Sequence, residues 1–250
     1  MNPKEINYSS AYSFADAAIS AVRNPSDIAP GDIIADFFEF RTNSFFEQIE
    51  KPQQYTLLHT FIYNINCFGI QHYLGKVDGE AIISDFGPIL DGANIPRPVW
   101  FIPDEVESHI NELRPLLDAA TRLITEAVFQ MLFANRTFLF EFNKFLSPFI
   151  LGLQPHEHPC IIAPGVVKRA YFPVWLKNAI FHRDKGRCQL CGCDLTNIMV
   201  PTGKRHIDHM VPLRASGTND PTNFQLTCES CNTSKGAKVL ATNHLSYTYW

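Results

Sequence analysis

Two C-x-x-C pairs, Cys188-x-x-Cys191 and Cys228-x-x-Cys231, restrict the folds open to this chain more than any other feature of its sequence. Each pair can supply two thiolates to one Zn²⁺, so the two pairs together can fill a tetrahedral coordination sphere and tie distant parts of the chain to one point. Gly192 follows Cys191 and tolerates the positive φ that the turn after a ligating cysteine demands. Cys193 offers a further thiol, but Cys191 keeps the compact two-residue spacing, and Cys193 is predicted to be a bystander. Cys67 and Cys160 stand singly and read as core or edge residues. Seven cysteines, an odd number with four of them paired in this way, point to metal in a reducing compartment rather than to a disulfide framework.

The 36 residues between Cys191 and Cys228 are too many for a zinc ribbon and must enclose a further structural unit. Inside it lies His206-Ile207-Asp208-His209, followed by Met210-Val211-Pro212. Residues 205–211 are predicted as a short strand, 212–221 as a loop containing Gly217 and Asn219-Asp220, 223–227 as a second strand and 231–240 as a short helix.

Charge separates this part from the rest. Residues 1–165 hold 10 basic and 20 acidic side chains, a balance of -10, whereas residues 166–250 hold 11 and 5, a balance of +6. A basic module suits a polyanion; an acidic neighbour does not. Upstream, apolar residues recur at three- and four-residue spacing over 11–23, 31–50, 53–74, 103–125 and 126–146, which predicts a mostly helical region. The stretch 77–100 carries many Gly, Pro and Asn residues and is predicted to hold short strands rather than a helix. The Phe-rich segment 127–153 is broken by charged and amide side chains and reads as core rather than membrane. The prolines and glycines of 152–165 predict a linker between a helical domain, 1–151, and a C-terminal domain, 166–250. No apolar run of spanning length and no signal-peptide pattern is visible, so a cytoplasmic location without membrane contact is expected.

The text CQLCG, then HIDHMVP, then TNFQLTCESCNTSKG resembles the HNH endonucleases, over less than a quarter of the chain. The resemblance implies a ββα nuclease unit around one catalytic metal, giving a fold that is mainly α with a small α+β module. It implies His209 as the general base, for which an imidazole of near-neutral pKa is suited. It further implies Asp208 and Asn232 as ligands of a catalytic Mg²⁺ (or Mn²⁺), and Cys188, Cys191, Cys228 and Cys231 as ligands of a purely structural Zn²⁺. Asn223 matches the family's central Asn, which ties loop and strands together and orients the base. Asn232 stands where many members carry a final His, a variant that shifts metal preference toward Mg²⁺.

His206, Lys235, Arg187 and Arg205 are the candidate contacts to nucleic-acid phosphates. Double-stranded DNA is the implied partner, with hydrolysis of its phosphodiester bonds the implied reaction. The helical region would bind a protein partner or regulate the nuclease, as in a gated bacterial antiphage or restriction effector. A zinc-stabilised nucleic-acid-binding module without catalysis is the alternative; it gives Asp208, His209 and Asn232 no role.

Overall fold

The computed structural model describes residues 8–24, 43–197 and 204–240. Its helices in chain order are α1 (Tyr8–Arg23), α2 (Asn43–Glu50), α3 (Leu57–Leu74), α4 (Gly79–Gly92), α5 (Pro103–Val106), α6 (Ile110–Ala134), α7 (Arg136–Leu151), α8 (Val174–Arg183) and α9 (Glu229–Lys235). Two antiparallel pairs of short strands accompany them: β1 (Ile161–Ala163) with β2 (Val166–Val167), and β3 (Arg205–His209) with β4 (Phe224–Cys228). The chain is therefore mainly α with a small α+β module, as the sequence predicts. The predicted helix 31–50 is seen as α2; its part before residue 43 lies outside the described residues.

The described residues form two compact units. The first takes 8–24 and 58–132, the second 43–57, 133–197 and 204–240.

In the first unit, α4 occupies the stretch that the sequence predicted as non-helical. Asp78 caps it by accepting from Ala81 N–H at 2.9 Å, and Ile82, Phe86 and Leu90 give it a fully buried stripe at four-residue spacing. One Pro inside the helix costs a backbone bond, but the buried stripe outweighs it. Gly79 is required because a Cβ there would lie 2.0 Å from the Pro103 carbonyl oxygen. The predicted break at residue 125 is also absent. No breaker stands there, and α6 runs on to Ala134, where Asn135 caps α7 by accepting from Phe138 N–H at 3.1 Å. Among the described residues no helix is long and apolar enough to cross a membrane. Phe129 is buried in the first unit, and Phe138 and Phe142 are buried in the second, so the Phe-rich segment serves as core.

The second unit has its apolar centre in Leu176, Ile180, Cys188, Leu195, Phe224 and Leu226. Asp184, at the end of α8, ties the helix to the sheet: its carboxylate accepts from Arg183 at 2.8 Å and from Leu226 N–H of β4 at 2.7 Å. The segment 152–165, predicted as a linker, is ordered within this unit. It contributes β1 and the buried residues Leu153, Cys160 and Ile161, and Gly165 turns the hairpin at φ +66°. The boundary between compact units therefore does not coincide with that segment. α7 belongs with the C-terminal module because Asn143 donates to Thr222 Oγ1 at 3.2 Å in the buried loop after β3.

That loop contains Gly217, where a Cβ would lie 1.9 Å from the Val211 carbonyl oxygen and 2.9 Å from Asn223 Nδ2. Gly217→Ala should destabilise the second unit by about 2 kcal/mol or more, since backbone rather than a flexible side chain must yield. Denaturant unfolding of the variant would check this, and an unchanged midpoint would refute the close approach.

Candidate active site

β3 and β4 pair in continuous register from Arg205 opposite Cys228 to His209 opposite Phe224. The strand ends at His209, so the alternation that would send Asp208 and His209 to opposite faces stops there. α9 follows β4 directly, its first turn capped by the Cys228 sulfur, and is shorter than predicted because Gly236, at φ +51°, ends it. These elements bring Asp208, His209 and Asn232 to the wall of one open cavity of about 400 Å³.

Asp208 and His209 are both held by neighbouring side chains. Asp208 Oδ2 accepts from Lys235 Nζ at 2.9 Å and from Gln225 Nε2 at 3.0 Å; no described residue bonds its other oxygen. The Lys235 side chain is fully buried and also donates to the His209 carbonyl at 2.7 Å. Lys235 is thus an internal strut between α9 and β3, which corrects its expected role as a phosphate contact. Its sequence position one helical turn after Asn232 could not reveal this, because only the packing of α9 on β3 turns it inward. The pair is worth little net in such a setting, but removing either partner alone would leave a buried charge and cost several kcal/mol.

The His209 side chain lies between Phe224, at 4.7 Å between ring centres, and Phe172, at 5.8 Å. Its Nε2 is 3.2 Å from Asn219 Oδ1. Burial pushes its pKa down to about 4; the Asn219 bond works against this, and the nearby charges of Arg169 and Lys235 add to it. The imidazole is therefore neutral at pH 7 and keeps a lone pair for a proton. Asn223 does not touch the ring. Its Oδ1 accepts from Val211 N–H at 2.8 Å and its Nδ2 donates to the carbonyls of Val211 and Thr218, so it locks the loop to the strand end.

Of the other expected phosphate contacts, Arg205 donates to the carbonyls of Leu195 and Thr196 at 2.7 and 2.9 Å, and Arg187 donates to that of Gly192 at 3.3 Å. Both brace the cysteine-bearing loop, and neither lines the cavity. His206 is half-buried on β3 and does not line it either. The cations that do line it are Arg169 and Arg214, both exposed. Neither stands out in the sequence: Arg169 follows the β1–β2 hairpin and Arg214 lies in the loop after β3.

The sulfurs of Cys188, Cys191, Cys193 and Cys228 all lie within 4.8 Å of one another. Cys193 is thus inside the cluster, which corrects its expected place as a bystander. The carbonyl of Cys193 accepts from Cys188 N–H at 3.0 Å, and Gly192 takes φ +78°, so the loop folds back on itself. Cys231 stands beside the set and donates its backbone N–H to the Cys228 sulfur at 3.4 Å. Although burial opposes ionisation of Cys228, Ser230, the Cys231 N–H and the neighbouring thiols bring its pKa down to about 6. A cluster of soft donors with one readily ionised thiol fits Zn²⁺. Asp208 and Asn232 both line the cavity, and a carboxylate and an amide are hard-oxygen donors of the kind that suit a cation such as Mg²⁺.

Residues 188–238 match the family model described as HNH endonuclease. They form an HNH endonuclease domain. Comparison with curated proteins and with solved structures found no match. The HNH domain contains Asp208, His209, Asn232 and Arg214, whereas Arg169 and Phe172 reach the cavity and the imidazole from outside the matched residues.

The depressed pKa of His209 has a thermodynamic consequence. The unfolded chain binds a proton on this residue below about pH 6.5 and the folded one only below about 4, so the stability from its neutral burial is complete above the first value and is lost as pH falls toward the second. In Mg²⁺-free buffer the stability gap between wild type and His209→Ala should narrow by about 3 kcal/mol from pH 7 to pH 4. A gap independent of pH in denaturant titrations would contradict the neutral, buried imidazole.

Proposed function

We propose that this protein is a divalent-metal-dependent endonuclease that hydrolyses phosphodiester bonds in DNA at the cavity lined by Asp208, His209 and Asn232. The observation that carries the reading is the convergence of a neutral imidazole, a carboxylate and an amide from the HNH domain, together with two exposed guanidinium groups, on one cavity. In this reading His209 takes a proton from a water, whose oxygen attacks phosphorus as the O3′ leaves and takes a proton from solvent, so that a 5′-phosphate and a 3′-hydroxyl result. Asp208 and Asn232 would hold Mg²⁺, which supplies charge stabilisation at the phosphate oxygens. Lys235 and Gln225 keep the Asp208 carboxylate aimed at the cavity from behind. Arg169 and Arg214 would hold the flanking phosphates, and their exposed side chains suit backbone contacts that tolerate any base sequence.

The cysteine cluster would hold a structural Zn²⁺ that fixes the start of α9, and with it Asn232, against the loop 188–193. We read the acidic helical region as the part that recruits or restrains the nuclease.

Supercoiled plasmid incubated with the full chain and Mg²⁺ should be nicked or linearised. His209→Ala should bind the same DNA but cut it at least about 100-fold more slowly. Cutting by that variant at the wild-type rate would defeat the assignment of the base. Binding without cutting by the wild type, in Mg²⁺ and in Mn²⁺, would mark a non-catalytic nucleic-acid-binding module instead.

A further inference from the structure

Asn219 is fully buried in the loop after β3, and every one of its polar contacts has a fixed sense. Its Nδ2 donates to the carbonyls of Glu50 and Lys168, each at 2.8 Å, and more weakly to that of Ile49 at 3.4 Å. Carbonyls only accept. Its Oδ1 accepts from Ala170 N–H at 3.3 Å, and a backbone N–H only donates. Reversing the amide would set an NH₂ against an N–H and an oxygen against three carbonyls, so the orientation is decided by the backbone around it.

The atom that faces His209 Nε2 at 3.2 Å is therefore an oxygen already committed as an acceptor. Two acceptors do not bond, so Nε2 carries the hydrogen. A neutral imidazole has one N–H, which leaves Nδ1 with the lone pair. Phe224 and Phe172 pack against the ring, at 4.7 and 5.8 Å between centres.

We infer that Asn219 is a positioning residue that fixes the Nε2–H tautomer of His209, making Nδ1 the atom that accepts the proton of the attacking water. The inference rests on the nuclease reading for its chemistry and on the hydrogen bonds alone for the tautomer. It also gives the parts outside residues 188–238 a catalytic purpose. The C-terminus of α2 and the segment 168–170 orient the amide that orients the base.

Long-range ¹H–¹⁵N spectra of the full-length, ¹⁵N-labelled protein at neutral pH test this directly, with His209→Gln used to assign the ring. Nε2 should appear as the protonated, pyrrole-like nitrogen and Nδ1 as the unprotonated, pyridine-like one. The reverse pattern would overturn the inference. In Asn219→Ala the two tautomers should mix, and kcat should fall by about 10- to 100-fold with KM for DNA unchanged. A folded variant with wild-type kcat and tautomer would also overturn it. Should the variant not fold, the wild-type spectrum still decides. Because the tautomer is read without turnover, an inactive protein with protonated Nε2 would count against the nuclease reading and not against the role of Asn219 in setting the tautomer.

Discussion

Residues 216–223 of the loop between β3 and β4 form a polar segment without solvent, and the second unit is built around satisfying it. Asn219, Asp220, Thr222 and Asn223 are all fully buried. Asp220 alone accepts from Leu57 N–H at 2.7 Å, from Thr222 N–H at 2.9 Å and from the Thr222 hydroxyl at 2.6 Å. Each such bond contributes only about 1 kcal/mol net, but each one broken strands a buried polar group at a cost of about 1–3 kcal/mol. The loop therefore has one conformation in which its donors and acceptors are all met. Reaching it requires chain segments far away in sequence: α2, the start of α3, α7 and the residues after β2.

This arrangement explains how a short sheet of two strands can hold a site with demanding geometry. β3 and β4 have too few cross-strand pairs to be rigid by themselves. The rigidity comes from three directions: the loop bound from behind, α9 fastened to β3 through Lys235, and Asp184 fastening α8 to β4. The side chains of the proposed site sit where these restraints meet. Burial keeps His209 neutral, the ion pair with Lys235 aims Asp208, and the first turns of α9 carry Asn232 to the same cavity.

The motifs and the element order of the HNH domain could be read directly from the sequence, since cysteine spacing and short alternating strands are local signals. Asp208, His209 and Asn232 line one cavity. What local signals could not reveal was partnership across the fold. Lys235 reads as a surface lysine until α9 packs on β3. Arg187 and Arg205 read as a phosphate stripe until their guanidinium groups meet the carbonyls of the loop 192–196. Asn219 resembles an ordinary turn residue, and only the convergence of Glu50, Lys168 and Ala170 gives its amide a direction. Helix α4 was hidden for the opposite reason: Pro88 and four glycines between residues 75 and 92 argue locally against a helix, and burial of its stripe overrides them.

In the proposed nuclease site, Asp208 and Asn232 present their oxygens to one cation beside His209. Binding of Mn²⁺ to the zinc-loaded full chain, followed by electron paramagnetic resonance, measures this without relying on turnover. One tightly bound ion per chain is expected, with affinity at least about tenfold weaker in Asn232→Ala. Wild-type Mn²⁺ affinity in that variant would contradict it.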